Sequence, residues 1–141
     1  MKVSSRAVIG GAIGLLGLVA GASAALADSI DPRLFGAWTT SQADCKRLFV
    51  RSGGSFAYRQ PVDKIAQPAI IGPKQIRLPA SLCQVQTVAH EKGILKLNVE
   101  CNDSISYTSQ TVQIKVNAGD EIVYSPTGDP ALDTTLVKCG M

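Results

Sequence analysis

Leu82-Cys83-Gln84-Val85-Gln86-Thr87-Val88-Ala89-His90-Glu91-Lys92-Gly93-Ile94-Leu95-Lys96-Leu97-Asn98-Val99-Glu100-Cys101-Asn102 is the stretch that decides the fold. Apolar and polar residues alternate on both sides of Glu91-Lys92-Gly93, the pattern of two half-buried antiparallel strands joined by a turn. With those three residues as the loop, Cys83 lies opposite Cys101, Val85 opposite Val99, Thr87 opposite Leu97 and Ala89 opposite Leu95. The other face pairs Gln84 with Glu100, Gln86 with Asn98 and Val88 with Lys96, so one face is apolar and the other polar.

This register also sorts the cysteines. Four are present, Cys45, Cys83, Cys101 and Cys139, at spacings that match no zinc pattern, and an even count reads as two disulfides. Of the three pairings that four cysteines allow, the hairpin selects Cys83–Cys101, which leaves Cys45–Cys139 to tie the start of the domain to its end.

Outward from the hairpin the chain continues as strand. Candidates are residues 34–40, 55–59, 69–71, 75–78, 107–116, 121–125 and 135–139, separated by turn signals at Gly72-Pro73, Asn102-Asp103-Ser104, Ala118-Gly119-Asp120 and Pro126 to Pro130. Val112, Ile114 and Val116 alternate with polar neighbours and repeat the one-face-buried pattern. One helix of about ten residues is expected after Ser41 as cap. Cys45, Leu48 and Phe49 would form its buried face, with Gly53-Gly54 as its stop. The expected architecture is mainly β: a single antiparallel meander closing into a barrel of about eight strands, with one short N-terminal helix and two disulfides. Closure removes the exposed sheet edges, and the predominance of Val, Ile and Leu at inward positions predicts a mostly filled interior.

Residues 1–27 read as a cleaved signal peptide. Lys2 and Arg6 precede a Gly/Ala-rich apolar run, and Ala25-Leu26-Ala27 supplies the small residues of a cleavage site, with Ala24 as a second choice. Residues 28–141 would then form a single β-barrel domain with no membrane span after cleavage, in the periplasm or secreted beyond it. Without the two leader cations that domain carries 12 basic and 11 acidic residues, close to neutral despite the formal +3 of the full chain.

Reactive constellations are scarce. His90 is the only histidine and sits beside Glu91 and Lys92 at a hairpin end, where it reads as a solvated turn residue on the polar face. No Gly-x-Ser-x-Gly or Ser-x-x-Lys pattern occurs. Asp120, Glu121, Asp129 and Asp133 crowd the C-terminal loops, but their spacing fits no calcium loop, and aspartate suits turns. The expectation is therefore no catalytic residue, no cofactor and no metal. Residues 45–90 hold seven cations (Lys46, Arg47, Arg51, Arg59, Lys64, Lys74 and Arg77) against Asp63 alone. Arg47, Arg51 and Arg59 are the candidate contacts for an anionic partner. Nucleic acid is not expected, because the few aromatics (5%) make no stacking platform.

Gly36-Ala37-Trp38 on the first strand resembles the Gly-x-Trp signature of the calycin barrels, the lipocalins and their relatives, and the opening of the small periplasmic inhibitors of bacterial metalloproteases. The chain also resembles short two-disulfide exported proteins of Gram-negative bacteria that have no assigned role. Lys138 stands where such barrels carry an arginine across the tryptophan ring. The resemblance implies an eight-stranded barrel and a non-catalytic role.

Together these readings predict a non-enzymatic binding protein of the cell envelope, holding a small apolar or amphipathic ligand or an anionic envelope component. Trp38 would be the barrel floor, and Ile70 and Ile71 the apolar rim on the proline-rich excursion of residues 60–79. Two alternatives stand beside it. One is a protease inhibitor that inserts an unstructured N-terminal segment, Asp28 to Arg33. The other is a structural envelope protein without a small ligand.

Overall fold

The computed structural model describes residues 29–140; the signal peptide reading, and Asp28 with it, lies outside the described residues. The strands are β1 (Gly36–Thr39), β2 (Phe49–Ser52), β3 (Ser55–Tyr58), β4 (Ala69–Ile71), β5 (Gln75–Arg77), β6 (Leu82–Glu91), β7 (Ile94–Asn102), β8 (Tyr107–Val116), β9 (Glu121–Ser125) and β10 (Thr134–Lys138). Eight of them form a closed antiparallel barrel in the order β1-β10-β9-β8-β7-β6-β5-β4, and β2 and β3 form a separate hairpin on its outside. β1 closes the ring by pairing with both β4 and β10, Trp38 lying opposite Ala69 on one side and Lys138 on the other. Both disulfides are the expected ones, Cys45–Cys139 and Cys83–Cys101.

The β6–β7 hairpin keeps the expected register from Cys83↔Cys101 to Val85↔Val99 and then departs from it. Lys92 and Gly93 alone form the turn, with φ of 50° and 79°. Two positive φ values in succession match the right-handed twist of the strands, which a two-residue loop requires. Glu91 therefore pairs with Ile94, one residue out of step with the disulfide end, and a bulge between Val85 and Thr87 absorbs the difference. Thr87 consequently faces Asn98, and Val88, expected on the polar face, lies opposite Leu97 and packs against the core. Ala89 pairs with Lys96 and is exposed.

The helix is also shorter than expected. Ser41 caps the 3-10 turn that precedes it, its hydroxyl accepting from the Ala43 amide at 3.3 Å. A 3-10 turn at Gln42–Asp44 then leads into α1, a single helical turn at Cys45–Leu48. At Phe49 the backbone becomes extended, and Gly53-Gly54 turns the β2–β3 hairpin where a helix stop was expected. Phe49 is buried in either reading; what differs is that tertiary packing aligns it opposite Tyr58, the two rings stacked at 5.5 Å.

Two apolar clusters result. The barrel interior is filled by Trp38, Ile71, Ile76, Leu97, Ile114, Ile122 and their neighbours, as the aliphatic inward positions predict. A second cluster lies between the barrel wall and the hairpin, joining Ala37 and Ile70 to Leu48, Phe49 and the Cys45–Cys139 bridge.

Candidate functional site

One barrel end is closed by the chain's own N-terminal segment. Ile30 and Leu34 are buried, and Pro32–Leu34 forms a 3-10 turn capped by the Asp31 carboxylate. Trp38 lies beneath this plug, its indole N–H donating to the Leu34 carbonyl at 2.8 Å. The Lys138 ammonium sits 5.8 Å from the Trp38 ring centroid and donates to the Arg33 carbonyl at 2.7 Å. Trp38 is thus buried beneath the plug, and the segment expected to be an unstructured arm packs on the core from Ile30 through Leu34. Its apolar side chains reach the end of the core, where burial outweighs the freedom of a short tail.

The opposite end is open. The loop before β4, the β5–β6 turn and the β9–β10 loop surround a cup of about 340 Å³. Leu78, Pro79, Pro126 and Leu132 form apolar walls, with Ala69, Leu136 and Tyr124 from the barrel strands below. Proline-rich loops suit this position because they lack backbone donors that would need partners in an apolar wall.

The walls are tied together. The Tyr58 hydroxyl, on β3, lies within hydrogen-bond reach of the Arg77 (2.7 Å) and Pro68 (3.1 Å) carbonyls and donates its one proton to the nearer, tying the hairpin to the β4–β5 wall. Gln67, at φ 46°, accepts from the Thr134 hydroxyl at 3.0 Å and so links the β4 loop to β10. The Asp63 carboxylate accepts from the amides of Ile65 (2.9 Å) and Ala66 (3.3 Å), which fixes the turn that leads into the cup. Lys64, the one cation of the lining among the described residues, is exposed.

Tyr124 differs from these groups. It is 7% exposed, and its buried hydroxyl, like those of Thr39 and Ser125, has no hydrogen-bond partner among the described residues. Burial pushes its phenol up to about 12, so it remains a neutral donor at any physiological pH. The sequence reading did not single it out. Its only signal was parity with Ile122 on β9: an inward tyrosine needs a partner for its hydroxyl.

The other sequence-predicted residues are dispersed. Ile70 and Ile71 belong to β4 and are 6% and 1% exposed, on the outer-cluster and interior faces respectively, so neither forms a loop rim. Exposed apolar character in that excursion resides instead in Ile65, 91% exposed. Arg47 bridges Asp44 at 2.9 Å and Asp63 at 2.6 Å, clamping α1 to the cup loop. Its guanidinium is the chief reason the Asp63 carboxyl sits below its ordinary range. The Arg51 guanidinium lies 5.1 Å from the Phe56 ring centroid, and Arg59 donates to the Lys46 carbonyl at 3.1 Å; both are exposed.

His90, expected on the polar face, lies opposite Leu95 because of the bulge, and is exposed at the barrel rim. Among the described residues no group of three or more His, Cys, Asp or Glu is gathered as a metal site would need, and no helix is long and apolar enough to cross a membrane.

Comparison with protein-family models, curated proteins and solved structures returned no match.

Proposed function

We propose that the protein is a non-enzymatic exported binding protein on a small calycin-like barrel, holding a small apolar or amphipathic ligand in the cup at its open end. One observation carries this reading: among the described residues the barrel interior is filled, its N-terminal end is plugged, and the opposite end opens as an apolar cup with braced walls. Its volume of about 340 Å³ lies within the range of small-molecule sites. The calycin relationship is supported by Gly36-Ala37-Trp38 on the first barrel strand and by Lys138 across the indole. Gly36 has φ 130°, a conformation close to glycine-only, which gives the glycine of that signature a physical cause. Two buried disulfides fit an oxidising compartment and hence export. An anionic envelope component is the weaker form of the proposal, because Arg47, one of its three candidate contacts, is already paired with both Asp44 and Asp63.

The test is native mass spectrometry of protein recovered from the producing cell's envelope fraction without unfolding, beside the same sample denatured. A discrete extra mass on the native protein is expected, and it should disappear when Ala80, at the exposed lip of the cup, is replaced in Ala80→Trp. A clean ligand-free mass in both proteins would count against a carrier and turn the search to protein partners.

A further inference from the structure

We propose that a second site, independent of the cup, lies along the free edge of β6 and takes the C-terminal end of an extended polypeptide. The peptide adds as an antiparallel strand beside Val88 and His90, with its terminal carboxylate at Lys74.

The barrel wall is uneven at this place. β5 pairs with β6 only from Leu82 to Gln84, and the Val85 amide then donates to the Lys74 carbonyl at 2.8 Å. β6 itself runs on to Glu91. From Gln86 to Glu91 no strand pairs with it on the side away from β7, among the described residues.

The register of the turn fixes which groups face that side. Glu91 and Ile94 flank a two-residue loop and so exchange both backbone hydrogen bonds. By alternation, His90 and Val88 direct their N–H and C=O groups away from β7. No backbone hydrogen bond reaches either of them from a neighbouring segment among the described residues. An edge of this kind is a template for another strand.

Beside it lies a groove of about 510 Å³, whose lining includes Ser29, Pro73, Lys74, Val85 and Val88. The two valines are half-buried and pack against the barrel core, which makes the inner side of the groove apolar. Every second side chain of an added strand points to that side.

Two features select a chain end and its direction. Pro73 and Lys74, in the β4–β5 turn, stand where β5 takes up the edge, so a strand laid beside β6 must stop there. A strand antiparallel to β6 arrives at this point with its C-terminus. Lys74 is exposed and forms no salt bridge among the described residues, so it favours a terminal carboxylate. It repels the amine that a parallel strand would bring. At the far end of the groove Glu91 is bridged to Lys96.

The probe is acetyl-Val-Thr-Val-Thr-Val, prepared as the free acid and as the C-terminal amide. Each is titrated into isotope-labelled protein, wild type and Lys74→Gln, following the amide resonances by NMR. In the wild type the acid should shift Val88 and His90 and leave the cup resonances in place. It should bind about two- to fivefold more tightly than the amide, the weight of one exposed ion pair. Lys74→Gln should bring the two peptides to equal affinity, with its spectrum elsewhere unchanged. N-methylation of the peptide, one residue at a time, should weaken binding about fivefold at alternate residues only, a signature that requires no change to the protein.

No shift at Val88 and His90, equal affinity of acid and amide in the wild type, or methylation losses without alternation overturns the inference. Prior occupation of the edge overturns it too. Val88 and His90 amides already protected from hydrogen exchange without peptide would place a second copy there if the mass doubles with concentration. In a monomer the same protection would place the chain's own residues before Ser29 along the edge. None of these outcomes bears on ligand binding in the cup.

Discussion

The three tyrosines of the chain occupy three different environments, and each environment raises the phenol. Burial does so for Tyr58 and for Tyr124, the latter to about 12, whereas exposed Tyr107 is raised chiefly by its hydrogen bond to the Glu100 carboxylate. A phenol whose folded pKa lies above its ordinary value of 10 contributes stability that is fully present below pH 10. That contribution is lost as the pH climbs through the folded value, because over this range the folded state holds the proton more tightly than the unfolded state. At pH 10 the native protein should accordingly show well under half the tyrosinate absorbance of three free phenols, with the remainder appearing when denaturant is added. Native absorbance equal to the unfolded value would mean that Tyr58 and Tyr124 are not buried as described. Tyr124 was hard to recognise in advance, because parity on β9 shows that it points inward but not that its hydroxyl lacks a partner.

At the scale of elements, the N-terminal plug is the clearest departure from the sequence reading. Asp28 to Arg33 is short and polar apart from Ile30, the profile of a free tail, yet Ile30 is 1% exposed and Leu34 4%. Leu34→Ala should therefore cost about 2–5 kcal/mol in urea unfolding, as for other buried leucines. Arg33→Ala, at an exposed position, should stay within about 0.5 kcal/mol of wild type. Equal small effects would restore the free-arm picture on which a protease-inhibitor role depends. Residues 45–54 show a different kind of ambiguity. Cys45, Leu48 and Phe49 are apolar at helical spacing, and Gly53-Gly54 ends a helix as readily as it turns a hairpin. Local pattern fits both; the aromatic contacts of Phe49 with Tyr58 and Phe56 across the hairpin decide for the strand.

For the molecule as a whole, the two disulfides hold chain lengths of very different size. Cys45–Cys139 spans 94 residues and Cys83–Cys101 spans 18. On loop entropy alone, the double substitution Cys45→Ala/Cys139→Ala should cost about 4–5 kcal/mol and Cys83→Ala/Cys101→Ala about 3. Denaturant titration of the two variants should preserve that order, and a reversed order would mean that the long bridge does not constrain the unfolded chain. The pairing itself, the barrel, its aliphatic filling and all eight of its strand positions were legible from sequence, because each follows from parity: a side chain two residues along a strand faces the same way, and a cross-strand bridge needs only an opposed pair. Register beyond Val85 was not, since it depends on whether the turn takes two residues or three, a choice settled by strand twist. The cup was not legible either. Its walls come from residues 64–69, 78–81 and 124–136, stretches with no shared local pattern that become neighbours only when β1 closes the ring between β4 and β10. Periodicity along a chain reports which face of an element is buried; a concavity is a relation between elements, and only their assembly determines it.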